Sequence, residues 1–268
     1  MQISSFTNDK IKYLRSLYRK KYRREENKFV IEGVRIIEEA LKEDIEIDSI
    51  FYSNYLFRNK RGEELLINLQ KYDLELIEIT DKLLTEVADT QSPQGIIAIV
   101  NKGNNNLEDI IVGKNELILI VDRIQDPGNL GTIIRTADAA GIIGVITTKG
   151  TTSFYNQKTL RATMGSIFRV PVYREESLDN LIEILQGKEI NLVVGDINGN
   201  QYHFEVDYTQ PTAIIVGNEG AGPNQSLIDL SDQTIKIPLL GGAESLNVAM
   251  ATGVIVYEAI RQRMLDLD

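Results

Sequence analysis

The chain has 268 residues, 43% of them hydrophobic, enough to bury one large core or two smaller ones without covalent staples. It has no cysteine, which excludes disulfides, thiolate zinc sites, iron–sulfur clusters and cysteine nucleophiles, and its single histidine, His203, rules out multi-histidine metal chemistry. The formal net charge of -10 argues against a globally basic nucleic-acid binder.

The N-terminal stretch, MQISSFTNDKIKYLRS, has no apolar signal region, and no later stretch is long and apolar enough to span a bilayer, so a cytoplasmic protein is expected. Up to Lys28, nine Lys and Arg residues stand against three acidic ones, so residues 1–28 read as a basic arm on an acidic body. Lys10, Lys12, Arg15, Lys20, Lys21, Arg23 and Arg24 are its candidates for gripping phosphates, because salt confines such fields to about 8–10 Å. Tyr13, Tyr18 and Tyr22 are placed to stack on bases. The same run also reads as a solvated amphipathic helix.

Residues 29–100 alternate strand and helix: KFVIEG, then VRIIEEALKED as a helix, IDSIFYS, then KRGEELLINLQKYD as a helix, LELIEIT, the helix DKLLTEVADT capped by Thr80 or Asp81, and the buried strand GIIAIV. Residues 101–116, with Gly103 and an asparagine run, read as a linker whose second half forms a short docking turn. Residues 117–268 hold a second α/β pattern. Its strands are LILIVD, GVITTK, RVPVYR, INLVVGDI, TAIIVG and TIKIPL; its helices cover Asn129–Ala140, Asn156–Gly165, Ser177–Gln186, Asn224–Asp229 and Glu244–Met264. Near-continuous Val/Ile strands separated by helices imply a mostly parallel sheet covered on both faces, with ligands beyond the carboxyl ends of its strands.

Three loops at such ends carry chemistry. In QDPGNLG, Pro127-Gly128 supplies a tight turn and Asn129 stands where an N-cap belongs. Arg135 follows, with Asp138 three residues on; it reads either as a salt-bridged surface arginine or as a planar fork aimed at phosphate or carboxylate. In IIVGNEGAGPN the glycines suggest a backbone wrapped tightly round something. The spacing fits neither a dinucleotide fingerprint nor a Walker loop. Glu219 would repel an anion and suits a cationic or hydroxyl-bearing ligand. In IPLLGGAESLNVAMATG, Ser245 and Asn247 open a long helix rich in small residues, as caps or as ligand-facing groups.

Taken together and in this order, the three loops resemble the motifs of the SpoU/TrmH family of RNA 2′-O-ribose methyltransferases: DPGNLGTIIRTADAAG the first, VGNEGAGP the second, IPLLGGAESLNVAMATGVIVYEA the third. TLRATMGSIFRVPV resembles the segment between the first two, and FVIEGVRIIEEAL is similar to the start of the L30e-like RNA-binding domain often found ahead of the catalytic one. The resemblance implies an α/β protein with a C-terminal, trefoil-knotted, parallel-sheet methyltransferase domain over 117–268 and a smaller L30e-like α/β domain over 29–100. It also implies S-adenosylmethionine as methyl donor, no metal, and a homodimer with composite sites built through the C-terminal domain. Carried over position by position, Asn129, Arg135, Glu219, Ser245 and Asn247 match the catalytic and RNA-site positions. Gly195, Val216, Gly217, Ile237, Leu239 and Leu246 match positions around the donor. Pro223 and Ala249 depart from the leucine and serine common in the family. The expected substrate is ribosomal RNA of the large subunit, 23S rRNA, ahead of transfer RNA. A non-catalytic RNA-binding protein of this fold and an unrelated nucleotide-binding enzyme are the competing classes. Within the resemblance, Arg135 is either the base that takes the 2′-hydroxyl proton or a fixed charge that holds phosphate and alkoxide.

Overall fold

In the computed structural model, residues 2–103, 107, 110, 116–187 and 190–265 are described. Most of the expected linker and its docking turn lies outside the described residues. The chain forms two units, one of Met1–Asn104 with Tyr155–Phe168 and one of Asn105–Phe154 with Arg169–Asp268.

The first unit is built on β1 (Lys28–Glu32), β2 (Ile47–Tyr52), β3 (Glu75–Glu78) and β4 (Ile96–Asn101), in the order β1-β4-β2-β3. β4 runs antiparallel to both neighbours, and β2 and β3 are parallel. Alternation along the strands sends side chains to opposite faces. Phe29, Ile31, Ile96, Ala98 and Val100 pack with α3 (Val34–Lys42) and α4 (Lys60–Leu69). Val30, Ile97 and Ile99 pack with α1 (Asp9–Ser16) and α5 (Asp81–Val87).

Residues 2–28, expected as a basic arm, are docked on this unit. Ile11, Leu14 and Leu17 are fully buried, and Tyr13, Tyr18 and Tyr22 pack against the same cluster instead of standing free to stack. The charge run conceals an apolar face repeating every three residues, which makes α1 amphipathic, and α2 (Lys20–Glu25) follows it with Tyr22 against the same cluster. Arg23 is buried and donates to the carbonyls of Leu17 (3.2 Å) and Tyr18 (2.6 Å) at the end of α1, so its guanidinium is engaged inside the fold. Lys10 pairs with Glu75, Lys12 with Asp9 and Lys21 with Glu25, and Arg15 lies over the Phe6 ring. Lys20 and Arg24 are exposed, with no partner among the described residues.

The chain returns to this unit for one helix that no composition shift marks. α7 (Gln157–Thr163) places Leu160 in the sheet's cluster, donates from Gln157 Nε2 to the Val30 carbonyl (2.8 Å), and pairs Arg161 with Asp89 (2.9 Å).

The second unit holds β5 (Leu117–Val121), β6 (Gly144–Thr148), β7 (Val172–Glu175), β8 (Asn191–Gly195), β9 (Gln201–Tyr202), β10 (Thr212–Val216) and β11 (Gln233–Lys236). Their order is β7-β6-β5-β10-β8-β11-β9, and every pairing is parallel. α8 (Leu178–Gln186) and α9 (Gln225–Leu230) cover one cluster, and α6 (Pro127–Ala139) packs with α10 (Val248–Leu265). Two helix starts differ from expectation. α6 begins at Pro127 because Asp126, not Asn129, caps it by accepting from the Asn129 amide (2.9 Å). α10 begins at Val248, because Asn247 Oδ1 accepts from the amides of Ala249 and Met250 and caps it there. β9, two residues long, carries too little pattern to be read from sequence. Among the described residues no helix is long and apolar enough to cross a membrane.

Candidate active site

Parallel register gathers the candidate loops at one edge of the second unit. Val216, the last residue of β10, lies opposite Val121 of β5 and Gly195 of β8, and Gly195 lies opposite Ile235 of β11. Gly195, Val216, Gly217 and Ile237 therefore stand at the carboxyl ends of three neighbouring strands, β8, β10 and β11. Gly217 is buried where only glycine fits: a Cβ there would lie 2.1 Å from the Pro223 nitrogen. Leu239 and Leu246, in the loop leading to α10, are 38% and 40% exposed, large apolar surfaces left uncovered beside those ends.

Three of the five expected catalytic residues are joined by hydrogen bonds. Asn247 Nδ2 donates to Asn129 Oδ1 (3.0 Å), and Asn129 Nδ2 donates to Glu219 Oε1 (3.1 Å). Glu219 also accepts from the amides of Gln125 (3.3 Å) and Asp126 (3.2 Å) and from Asn218 Nδ2 (3.4 Å). The third loop thus binds the first, and the first binds the second. Partial burial alone would push the Glu219 carboxyl up. The hydrogen bonds from its own backbone, Asn129, Asp126 and Gln125 outweigh that and hold it below the usual carboxylate range. Both ends of the Asn129 amide are used, which fixes its orientation.

Arg135 and Ser245 lie outside this network. Arg135 is exposed and has no hydrogen bond or ion pair among the described residues. Asp138, which the i,i+3 spacing offered it as partner, is bound by Arg169 at 2.8 Å. Arg135 is six positions beyond Asn129, and at about 100° per residue it points roughly a third of a turn away from it. Ser245 is exposed, and its hydroxyl has no partner among the described residues. A cleft of about 200 Å³ lies at the ends of β5, β6 and β7, bordered by Asp122, Arg123, Lys149 and Glu176, and none of the expected residues lines it. No cluster of three or more His, Asp or Glu residues suited to a metal occurs among the described residues.

Two residues that the sequence did not single out are tied into the site. Asp122 is 2% exposed and accepts from Thr148 Oγ1, Arg123 Nε and the Asn224 amide. Arg123 reaches the glycine loop. An Asp-Arg pair at a strand end has no spacing signature, and only the placement of Asp122 directly after five buried residues could have flagged it.

Residues 116–257 match the SpoU rRNA Methylase family, and residues 8–98 match the MRM3-like substrate binding domain. The chain belongs to the SpoU rRNA methylase family. Its relatives include the 23S rRNA (guanosine(2553)-2′-O)-methyltransferase RlmP of Bacillus subtilis (strain 168), 36% identical, the match covering 96% of this chain and 98% of that protein. Among solved structures, the SpoU methyltransferase AviRb of Streptomyces viridochromogenes superposes with a TM-score of 0.86 at 32% identity, covering 97% of this chain and 99% of that one. The AdoMet-bound rRNA methyltransferase of Sinorhizobium meliloti gives 0.86 at 32% identity, covering 97% of each. The two solved structures match this chain through both units, so its α/β architecture with a parallel sheet and an N-terminal domain is shared with them.

Proposed function

We propose that this chain transfers a methyl group from S-adenosylmethionine to a ribose 2′-hydroxyl of 23S rRNA, acting in the cytoplasm as a homodimer. The observation that carries the reading is the Asn247–Asn129–Glu219 network, which unites all three family motifs at the strand ends. Large-subunit RNA is favoured over transfer RNA by the substrate-binding domain at residues 8–98 and by full-length relatives named for 23S rRNA.

The strand ends suit the donor. Gly195, Val216, Gly217 and Ile237 stand at neighbouring strand ends, and Leu239 and Leu246 offer uncovered apolar surface for a flat ring. Bound there, S-adenosylmethionine supplies a methyl group activated by its sulfonium charge, so no metal is required. The protein's own task is alignment, which alone is worth about 7–11 kcal/mol in such reactions. Glu219 is an ionised anchor: its oxygens are occupied by donors, and it holds Asn129 in place instead of taking a proton. In this reading Asn129 and Ser245 orient the ribose and its neighbours. Arg135 holds an RNA phosphate and the alkoxide that develops as the 2′-hydroxyl proton leaves to phosphate or water. Its planar fork suits both tasks, and its side chain is exposed.

Arg135 meets the ribose in a site completed by a second protomer. α10 leaves Met250 63%, Val254 37% and Tyr257 51% exposed along one stripe, a surface that a second copy would cover. The deep trefoil knot belongs to the same reading, supported by the family match over residues 116–257.

Incubation with radiolabelled S-adenosylmethionine tests the proposal on protein-free 23S rRNA, ribosomal particles and transfer RNA. Label in 23S rRNA as a 2′-O-methyl nucleotide is expected. Label confined to transfer RNA would overturn the substrate. Absence of donor binding by calorimetry would favour a non-catalytic RNA-binding protein.

A further inference from the structure

We propose that Asp122 and Arg123, the two residues following β5, are positioning residues that clasp the glycine loop 217–224 and so set the place of Glu219. The inference rests on the methyl-transfer reading of the site. A carboxylate as deeply buried as Asp122 needs compensating donors. It has three: Thr148 Oγ1 at the end of β6 (2.6 Å), Arg123 Nε (3.0 Å), and the amide of Asn224 where the glycine loop enters α9 (2.8 Å). Arg123 grips the same loop twice more. Its Nη2 donates to the Gly222 carbonyl (3.0 Å), and its own carbonyl accepts from Asn218 Nδ2 (2.9 Å). One dipeptide therefore holds both ends of the loop.

Inside that grip the loop is closed on itself. Asn218 and Gly222 exchange backbone hydrogen bonds (3.1 and 3.0 Å), and Asn218 Oδ1 accepts from the amides of Gly220 (3.0 Å) and Ala221 (2.9 Å). Glu219 is the one charged side chain carried by this frame, and it faces Gln125, Asp126 and Asn129. Arg123 takes up a left-handed backbone, φ 56°, that side chains with a Cβ seldom adopt. Gly150 makes room for its stem: a Cβ there would lie 3.1 Å from Arg123 Cγ. A strained residue held by this many partners is the pattern expected of a functional constraint. Asp122 and Arg123 act through Glu219 and the loop, not on the reacting atoms.

A double-mutant cycle separates positioning from general support of the fold. Single-turnover methyl transfer is measured at saturating S-adenosylmethionine and RNA for wild type, Arg123→Met, Glu219→Gln and the double variant. If Arg123 works through Glu219, its loss slows transfer by about tenfold or more beside Glu219 and by less than about threefold beside Gln. Equal fold losses in the two backgrounds, or an Arg123→Met rate equal to wild type, would overturn the clasp. Thermal unfolding accompanies each variant. Should Arg123→Met not fold, the cycle is run with Arg123→Lys, which keeps the charge and loses the fork, and the same two outcomes apply. If wild type itself transfers no methyl group, the methyl-transfer reading fails and takes the clasp with it; if wild type transfers and the cycle is additive, only the clasp fails.

Discussion

Glu219 is where single side chains decide the site. It binds the first loop through two amides and Asn129, and its carboxyl is held below the usual range. A carboxyl lowered on folding stabilises the folded state fully above the ordinary glutamate range, and the gain is lost as pH falls through the lowered value. Glu219→Gln should therefore show a smaller loss of stability than wild type between pH 6 and acid, measured by urea denaturation; identical acid limbs would contradict the assignment. Asn129→Ala should abolish transfer while leaving far-UV circular dichroism unchanged, and normal turnover would remove Asn129 from the site. Arg135→Lys should cost about 10²-fold or more in transfer rate, because a point charge does not reproduce the planar fork; near-normal turnover would exclude both roles considered for it. At this scale the sequence was readable where a residue sat in a motif. Asn129, Glu219 and Asn247 do converge. Arg135 and Ser245 meet no partner within the chain, and Asp122 and Arg123 were hidden because their meaning lies in the distant loop they touch.

At the scale of elements, most of the fold follows from local rules, and the departures have local causes. Strands with continuous Val and Ile became the parallel sheet, and alternating burial set both faces of the smaller one. Helix starts moved by a few residues, because Asp126-Pro127 outcompetes Asn129 as a start and Asn247 caps later than Glu244. Of the two readings of the basic run, the amphipathic helix is the one seen: apart from Arg23 its charges stand outside, and Ile11, Leu14 and Leu17 form the inner face. Behind this run, Lys102 donates to the Arg23 carbonyl and lies 5.0 Å from the Tyr155 ring. Burial, with Arg23 beside it, holds its ammonium down to about 8 against 10.5 for ordinary lysine. The unfolded chain then binds more protons between those values, so this lysine makes stability rise with pH across that window. Subtracting the Lys102→Met denaturation profile from that of wild type should reveal the slope, and a flat difference would contradict it. Gly95, at φ 89°, meets the Leu56 nitrogen at 2.1 Å from where a Cβ would sit. Gly95→Ala should destabilise the protein by about 2 kcal/mol or more.

For the whole molecule, the proposal requires two copies. The stripe of Met250, Val254 and Tyr257 on α10 predicts that Met250→Glu with Tyr257→Glu yields a monomer in sedimentation and loses transfer. A dimer that persists with full activity would place the interface elsewhere. Residues 8–98 match a substrate binding domain and residues 116–257 a methylase family, while Tyr155–Phe168 of the second stretch belong to the first unit. What periodicity could not supply was the identity of the RNA, since a ribose and its phosphate look alike on every transcript and the discriminating contacts are spread over surfaces with no motif. The most direct test is therefore to map 2′-O-methyl nucleotides in total RNA from cells with and without this gene. Loss of methylation at a 23S rRNA nucleotide is expected, restored by the wild-type gene and not by Arg135→Lys. An unchanged 23S rRNA map would contradict it.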